Sequence, residues 1–142
     1  MRILFLSLLL ITISAHAQKE IRLIARELNV PDSSPVKLIR NGDQTPTSET
    51  RVIKNRFRIR IPQSEAALYF LLIGDQTRPT ELFLEPGKVV IRPVKGNSTE
   101  YDVKGSPAHA DFKAFVKLFL PLVQQTNQLA NSVNQAAESP AT

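Results

Sequence analysis

The sequence predicts a mainly β chain, an antiparallel β-sandwich of about eight strands with one kinked C-terminal α-helix packed on a sheet face. Three observations carry that expectation. Short apolar segments with period-two alternation recur between turn formers from residue 19 to residue 104. One of them, AALYFLLI at 66–73, is apolar on both parities, as a central strand covered on both faces must be. After Gly105-Ser106-Pro107 the apolar period changes from two to helical spacing.

Residues 1–17 are read apart from the fold. Arg2, the apolar run at 3–13 and the small residues Ala15 and Ala17 around His16 have the three-part layout of a secretory signal. The apolar run falls well short of the ~20 residues a spanning helix needs, so export with cleavage before Gln18 is expected, and no membrane span. The remainder is read as one domain, with a sandwich over 18–105, a helix of the same domain over 106–137 and a disordered tail over 138–142.

The first strand lies within 19–28, with Ile21, Leu23 and Ala25 on one side. The apolar phase then moves to Leu28 and Val30, which predicts a bulge or strand end near Arg26 and Glu27. A turn cluster at 31–35 leads to a second strand at 36–40, closed by Asn41-Gly42-Asp43 and a polar loop. Segments 50–53 and 56–61 flank Lys54-Asn55 and read as a hairpin, Asn55 tolerating a positive φ. In RVIKNRFRIRIP, Phe57, Ile59 and Ile61 are expected in the core, and Arg56, Arg58 and Arg60 on the solvated face. Three charges on one face also discourage edge-to-edge pairing.

Strand 66–73 is followed by a loop at 74–79 and a strand at 80–84. Glu85-Pro86-Gly87-Lys88 suits a type II turn, and strands at 89–94 and 100–104 complete the set. Ser106 is then expected as N-cap and Pro107 at the first helical position. Phe112, Phe115, Val116, Phe119, Leu120 and Val123 form one stripe, the expected cover for the outer face of AALYFLLI. Pro121 should kink the rod. Beyond it, the Gln/Asn-rich stretch 124–135 offers only Leu129 and Val133 as large apolar residues and is expected to be weakly held.

The inventory excludes much chemistry. The chain has no cysteine, so a disulfide, a thiol nucleophile, a CxxC pair and a lipoprotein anchor are all impossible. Without residues 1–17 one histidine remains, His109, too few for a multi-histidine metal site, and no metal or other cofactor is expected. His109 near Asp111 is read as a first-turn surface histidine, not a dyad. Gly87-Lys88 lacks the remaining positions of a phosphate loop. Glu81, Glu85 and Glu100 are scattered, so no catalytic residue is assigned. Less Arg2, the 18 basic residues become 17 against 13 acidic ones, a mild excess that does not point to nucleic acid.

TELFLEPGKVVIRPVKGNSTEYDVKGSPAHADFKAFVKLFLPL carries a family resemblance. A strand ending in Phe83-Leu84-Glu85-Pro86-Gly87-Lys88, a Val-Lys-Gly-Ser step at 103–106 and a Phe-rich helix follow in order. Earlier in the chain, RFRIRI and LYFLLIGD agree. The chain resembles the N-terminal domain of unknown function that precedes a thioredoxin-like, AhpC/TSA-type domain in exported thiol-disulfide oxidoreductases of Gram-negative bacteria. It departs from that pattern in following Asn55 directly with Arg56, where relatives often carry Asn-Gly or Asp-Gly, and in stopping at Thr142 without the WCxxC motif that holds the family's redox activity.

The resemblance implies a non-catalytic module of the periplasm or cell envelope, partnered by a thioredoxin-like domain or another envelope protein. A second reading is an oxidoreductase whose catalytic half is missing through truncation or a split gene. A third is a polyanion or membrane-surface binder using Arg51, Arg56, Arg58 and Arg60. The residues singled out as an interaction surface are Arg56, Arg58, Arg60, Leu129 and Val133, the last two facing a missing domain or a second copy.

Overall fold

The structure, a computed structural model, describes residues 19–138; the expected signal segment and the tail beyond Glu138 lie outside the described residues. Eight strands and a helix follow in chain order: β1 (Glu20–Ala25), β2 (Pro35–Arg40), β3 (Ser48–Arg51), β4 (Phe57–Pro62), β5 (Ala67–Ile73), β6 (Thr80–Leu84), β7 (Gly87–Val94), β8 (Asn97–Lys104) and α1 (Pro107–Glu138). The strands make two four-stranded sheets, ordered β4-β1-β7-β8 and β3-β2-β5-β6.

Alternation builds the core between them. Ile21, Leu23, Phe57, Ile59, Ile61, Val89 and Ile91 of the first sheet share one buried cluster with Val36, Leu38, Tyr69, Leu71, Ile73, Leu82 and Leu84 of the second. Because the side-chain period is two, register decides what meets. Leu23 lies opposite both Ile59 and Val89, a core row crossing three strands, and its neighbour Arg22 lies opposite Arg60 and Lys88 on the outer face. Glu27 has φ 59, so β1 ends where the apolar phase shifts.

Three local expectations give way to the sheet topology. Lys54 and Asn55 have φ 50 and 59, as a two-residue reversal requires, and Ile53 and Arg56 exchange both backbone hydrogen bonds across it. Its arms do not continue as a hairpin: β3 pairs with β2, while β4 pairs with β1 in the other sheet. Glu85-Pro86 likewise crosses between sheets instead of folding a strand back, and Gly87 opens β7 at φ 134. That crossing sets β7 parallel to β1, the single parallel pair among the described strands.

The helical stripe does not cover AALYFLLI. Leu68, Phe70 and Leu72 on the outer face of β5 stay half-buried, and α1 packs instead beside β6 and β8. Ala108, Phe112 and Val116 are partly buried, whereas Phe115, Phe119, Leu120 and Val123 are exposed, as is every residue from Lys117 to Gln135. The helix still runs unbroken through Pro121. The physical reason is geometric: β6 is the sheet edge nearest the start of α1, and the rod engages that edge with its first turns only.

Candidate functional site

The junction between α1 and the edge of β6 is built from backbone demands. Phe83 lies opposite Leu68 on β5, and its amide and carbonyl would otherwise be unpaired on the open side of an edge strand. The Phe83 amide donates to His109 Nδ1 at 3.1 Å, and the Ser106 hydroxyl donates to the Phe83 carbonyl at 2.8 Å. The Phe83 and Phe112 rings stack at 5.7 Å between centroids. Ser106 thus opens the helix with its backbone carbonyl, which accepts from the His109 and Ala110 amides, while its hydroxyl straps the helix to the sheet.

His109 is therefore not the surface histidine that its place in the first turn suggested: it is 7% exposed. Burial, then the nearby Lys113 ammonium, hold its pKa below the ordinary histidine value. A neutral ring accepting an amide proton is a structural part. Its Nδ1 is occupied, so a general-base role for that atom is closed.

The second surface gathers at the Lys54-Asn55 turn, where the β3–β4 crossing, the end of β1 and β7 converge. Arg26, Glu27, Lys54, Asn55, Arg56 and Arg92 line a groove of about 450 Å³. A neighbouring groove of about 500 Å³ shares Lys54 and Arg56 and adds Arg51, Ile53 and Arg58. Arg92 pairs with Glu27 at 3.5 Å, and the Arg51 guanidinium donates to the Ser33 carbonyl at 2.8 Å. Asp32 accepts the Lys54 backbone amide at 2.9 Å. Arg26, Arg56, Arg58 and the Lys54 ammonium have no carboxylate partner among the described residues.

The five residues singled out from sequence do not form one site. Arg58 and Arg60 project from the outer face of β4, an edge strand, and Arg56 sits beside the turn. Leu129 and Val133 are 67% and 60% exposed on the far half of α1. Sequence reading missed Arg26 and Arg92 as neighbours of Arg56, because the antiparallel pairing of β1 with β4 brings Arg26 to Arg56 and the parallel pairing of β1 with β7 adds Arg92. Among the described residues no group of three or more His, Cys, Asp or Glu could hold a metal ion. No described helix is long and apolar enough to cross a membrane.

Fold and surfaces together define a β-sandwich domain with a helix strapped to one sheet edge, an uncovered helical arm and a basic corner. The chain belongs to the family described as "Domain of unknown function (DUF4369)", whose match spans residues 22–112. That match ends at Phe112, the residue that stacks on Phe83, so the matched region and the well-packed region nearly coincide. A search of curated proteins finds no match.

Proposed function

We propose that the chain is a non-catalytic exported interaction module, similar to the accessory domain of periplasmic thiol-disulfide oxidoreductases, and that α1 beyond Val116 is the element it offers to a partner. One observation carries this reading. Phe119, Leu122, Val123, Leu129 and Val133 are large and apolar, yet all are exposed. A helical stretch with Pro121 inside it and a Gln- and Asn-rich second half is weak by itself in water, so packing of its apolar face is what would stabilise it. The chain has no cysteine, so any thiol-disulfide chemistry belongs to the partner. By resemblance, that partner is a thioredoxin-like domain carrying WCxxC.

The same exposed arm also favours the second reading, in which that domain was once continuous with this chain. Sequencing the DNA immediately downstream separates the two: an in-frame or near-frame WCxxC continuation removes the stand-alone module. For the module itself, a thioredoxin-like domain encoded in the same genome is titrated into the protein. Saturable binding that Phe119→Asp abolishes supports the proposal; no binding at a hundred micromolar removes that partner. Export is tested by N-terminal sequencing of the periplasmic fraction, with Gln18 as the expected first residue.

A further inference from the structure

We propose that the basic corner at the Lys54-Asn55 turn is a peripheral contact for an anionic phospholipid surface, in which Arg26, Lys54, Arg56 and Arg58 meet headgroup phosphates and Ile53 enters the interface. This goes beyond the interaction reading and does not depend on it.

Charge concentration is the first ground. Six basic side chains line the two adjoining grooves, with Glu27 and the nearby Asp32 as the acidic groups, while the whole chain carries a formal net charge of only +5. Most of the excess therefore sits at one corner, and a field of that kind attracts polyanions. Glu27 already pairs with Arg92, which leaves the five cations Arg26, Arg51, Lys54, Arg56 and Arg58 against the single carboxylate of Asp32.

The second ground is independent of charge. Ile53 is 65% exposed at the base of the turn, next to Lys54 and paired with Arg56 across it, where a solvated loop would carry a polar residue. One exposed aliphatic side chain among cations suits the headgroup boundary, where the apolar group finds hydrocarbon and the charges find phosphate. The consecutive left-handed residues Lys54 and Asn55 make the tip tight and presented. A soluble phosphate would use the cations but leave Ile53 unexplained, so the geometry favours the lipid surface.

The test uses residues 19–142, whose buried cluster lies between Ile21 and Tyr101, because the apolar segment at 3–13 would bind lipid by itself. Co-sedimentation is measured with vesicles of three parts phosphatidylcholine to one part phosphatidylglycerol and with vesicles of phosphatidylcholine alone. The expected result is salt-sensitive binding to the anionic vesicles only. The double variant Lys54→Gln/Arg56→Gln should weaken it about 25-fold, from roughly fivefold per basic residue at a membrane surface. Ile53→Asn should weaken it several-fold with no change in charge. Lys19→Gln/Arg78→Gln, a control on exposed cations away from the corner, should change it by less than about twofold.

Equal loss in that control, equal binding to neutral vesicles, or displacement by inorganic phosphate at matched ionic strength would each overturn the proposal. So would binding that survives the corner variants and disappears in Phe115→Ser/Phe119→Ser, which would assign it to α1. Circular-dichroism melts confirm that every variant is folded before it is scored.

Discussion

Gly105→Ala should destabilise the domain by about 2–5 kcal/mol, and the size of that effect follows from two separable costs. Gly105 has φ +88, where a Cβ costs about 1–2 kcal/mol. That Cβ would also be driven into the Lys88 carbonyl oxygen, with the Lys88 carbonyl carbon at 3.3 Å and the Val89 Cα at 3.5 Å. The obstacle is backbone in β7, held between β1 and β8, so it cannot swing aside as a side-chain tip would, and relief needs a backbone shift of about 1–3 kcal/mol. Gly42→Ala is the matched control: its φ is +96, but nothing lies within 4 Å, so only the conformational cost applies. Urea unfolding followed by far-ultraviolet circular dichroism should separate the two midpoints by about 0.5–1.5 M, taking a slope near 2 kcal/mol per molar. If Gly105→Ala comes within about 1 kcal/mol of the control, the close approach of β7 to the start of α1 is wrong.

Tyr69 is fully buried and its hydroxyl has no hydrogen-bond partner among the described residues, so Tyr69→Phe should be neutral or stabilising by up to about 1–2 kcal/mol in the same urea assay. His109, held neutral in the fold, takes up protons more readily when unfolded, so its contribution is present above its ordinary titration range, near pH 6.5, and is lost as the pH falls below it. The melting temperature should therefore fall more between pH 7 and 5 in the natural protein than in His109→Asn, which keeps an acceptor for the Phe83 amide; parallel pH profiles would count against the strap. Ending the chain after Lys117 removes a stretch whose described residues, Leu118 to Gln135, are all exposed, so unfolding of the sandwich should change by less than about 1 kcal/mol.

Much of the fold was legible because alternation is a local signal. FRIRIP alternates buried and exposed residue by residue, and Glu27 ends β1 where the apolar phase moves. Which sheet a strand joins is not local. Lys54-Asn55 has the dihedrals of a hairpin turn, yet pairing partners supplied from elsewhere send its two arms to different sheets. The parallel contact of β1 with β7 depends on the crossing at Glu85-Pro86, which nothing in either strand encodes.

Helical spacing in α1 was equally plain, but spacing reveals only that an apolar face exists, not that the same chain covers it. His109 shows the converse, a polar residue in a first helical turn made structural by an edge strand that ends 25 positions before it, at Leu84. Of the candidate surface, the Arg56–Arg60 ladder could be read directly from sequence. Its gathering with Arg26 and Arg92 needed the tertiary fold.

Hydrogen exchange across α1 tests the central claim most directly, that the helix is strapped to β6 by its first turns and offered to a partner beyond them. In the isolated monomer, amides from Leu118 to Gln135 should exchange close to unprotected rates while those of β1, β5 and β7 are strongly protected, and adding the thioredoxin-like partner should slow the helical amides selectively. Strong protection of Leu118 to Gln135 in the monomer, or no change on adding a partner that binds, would contradict it.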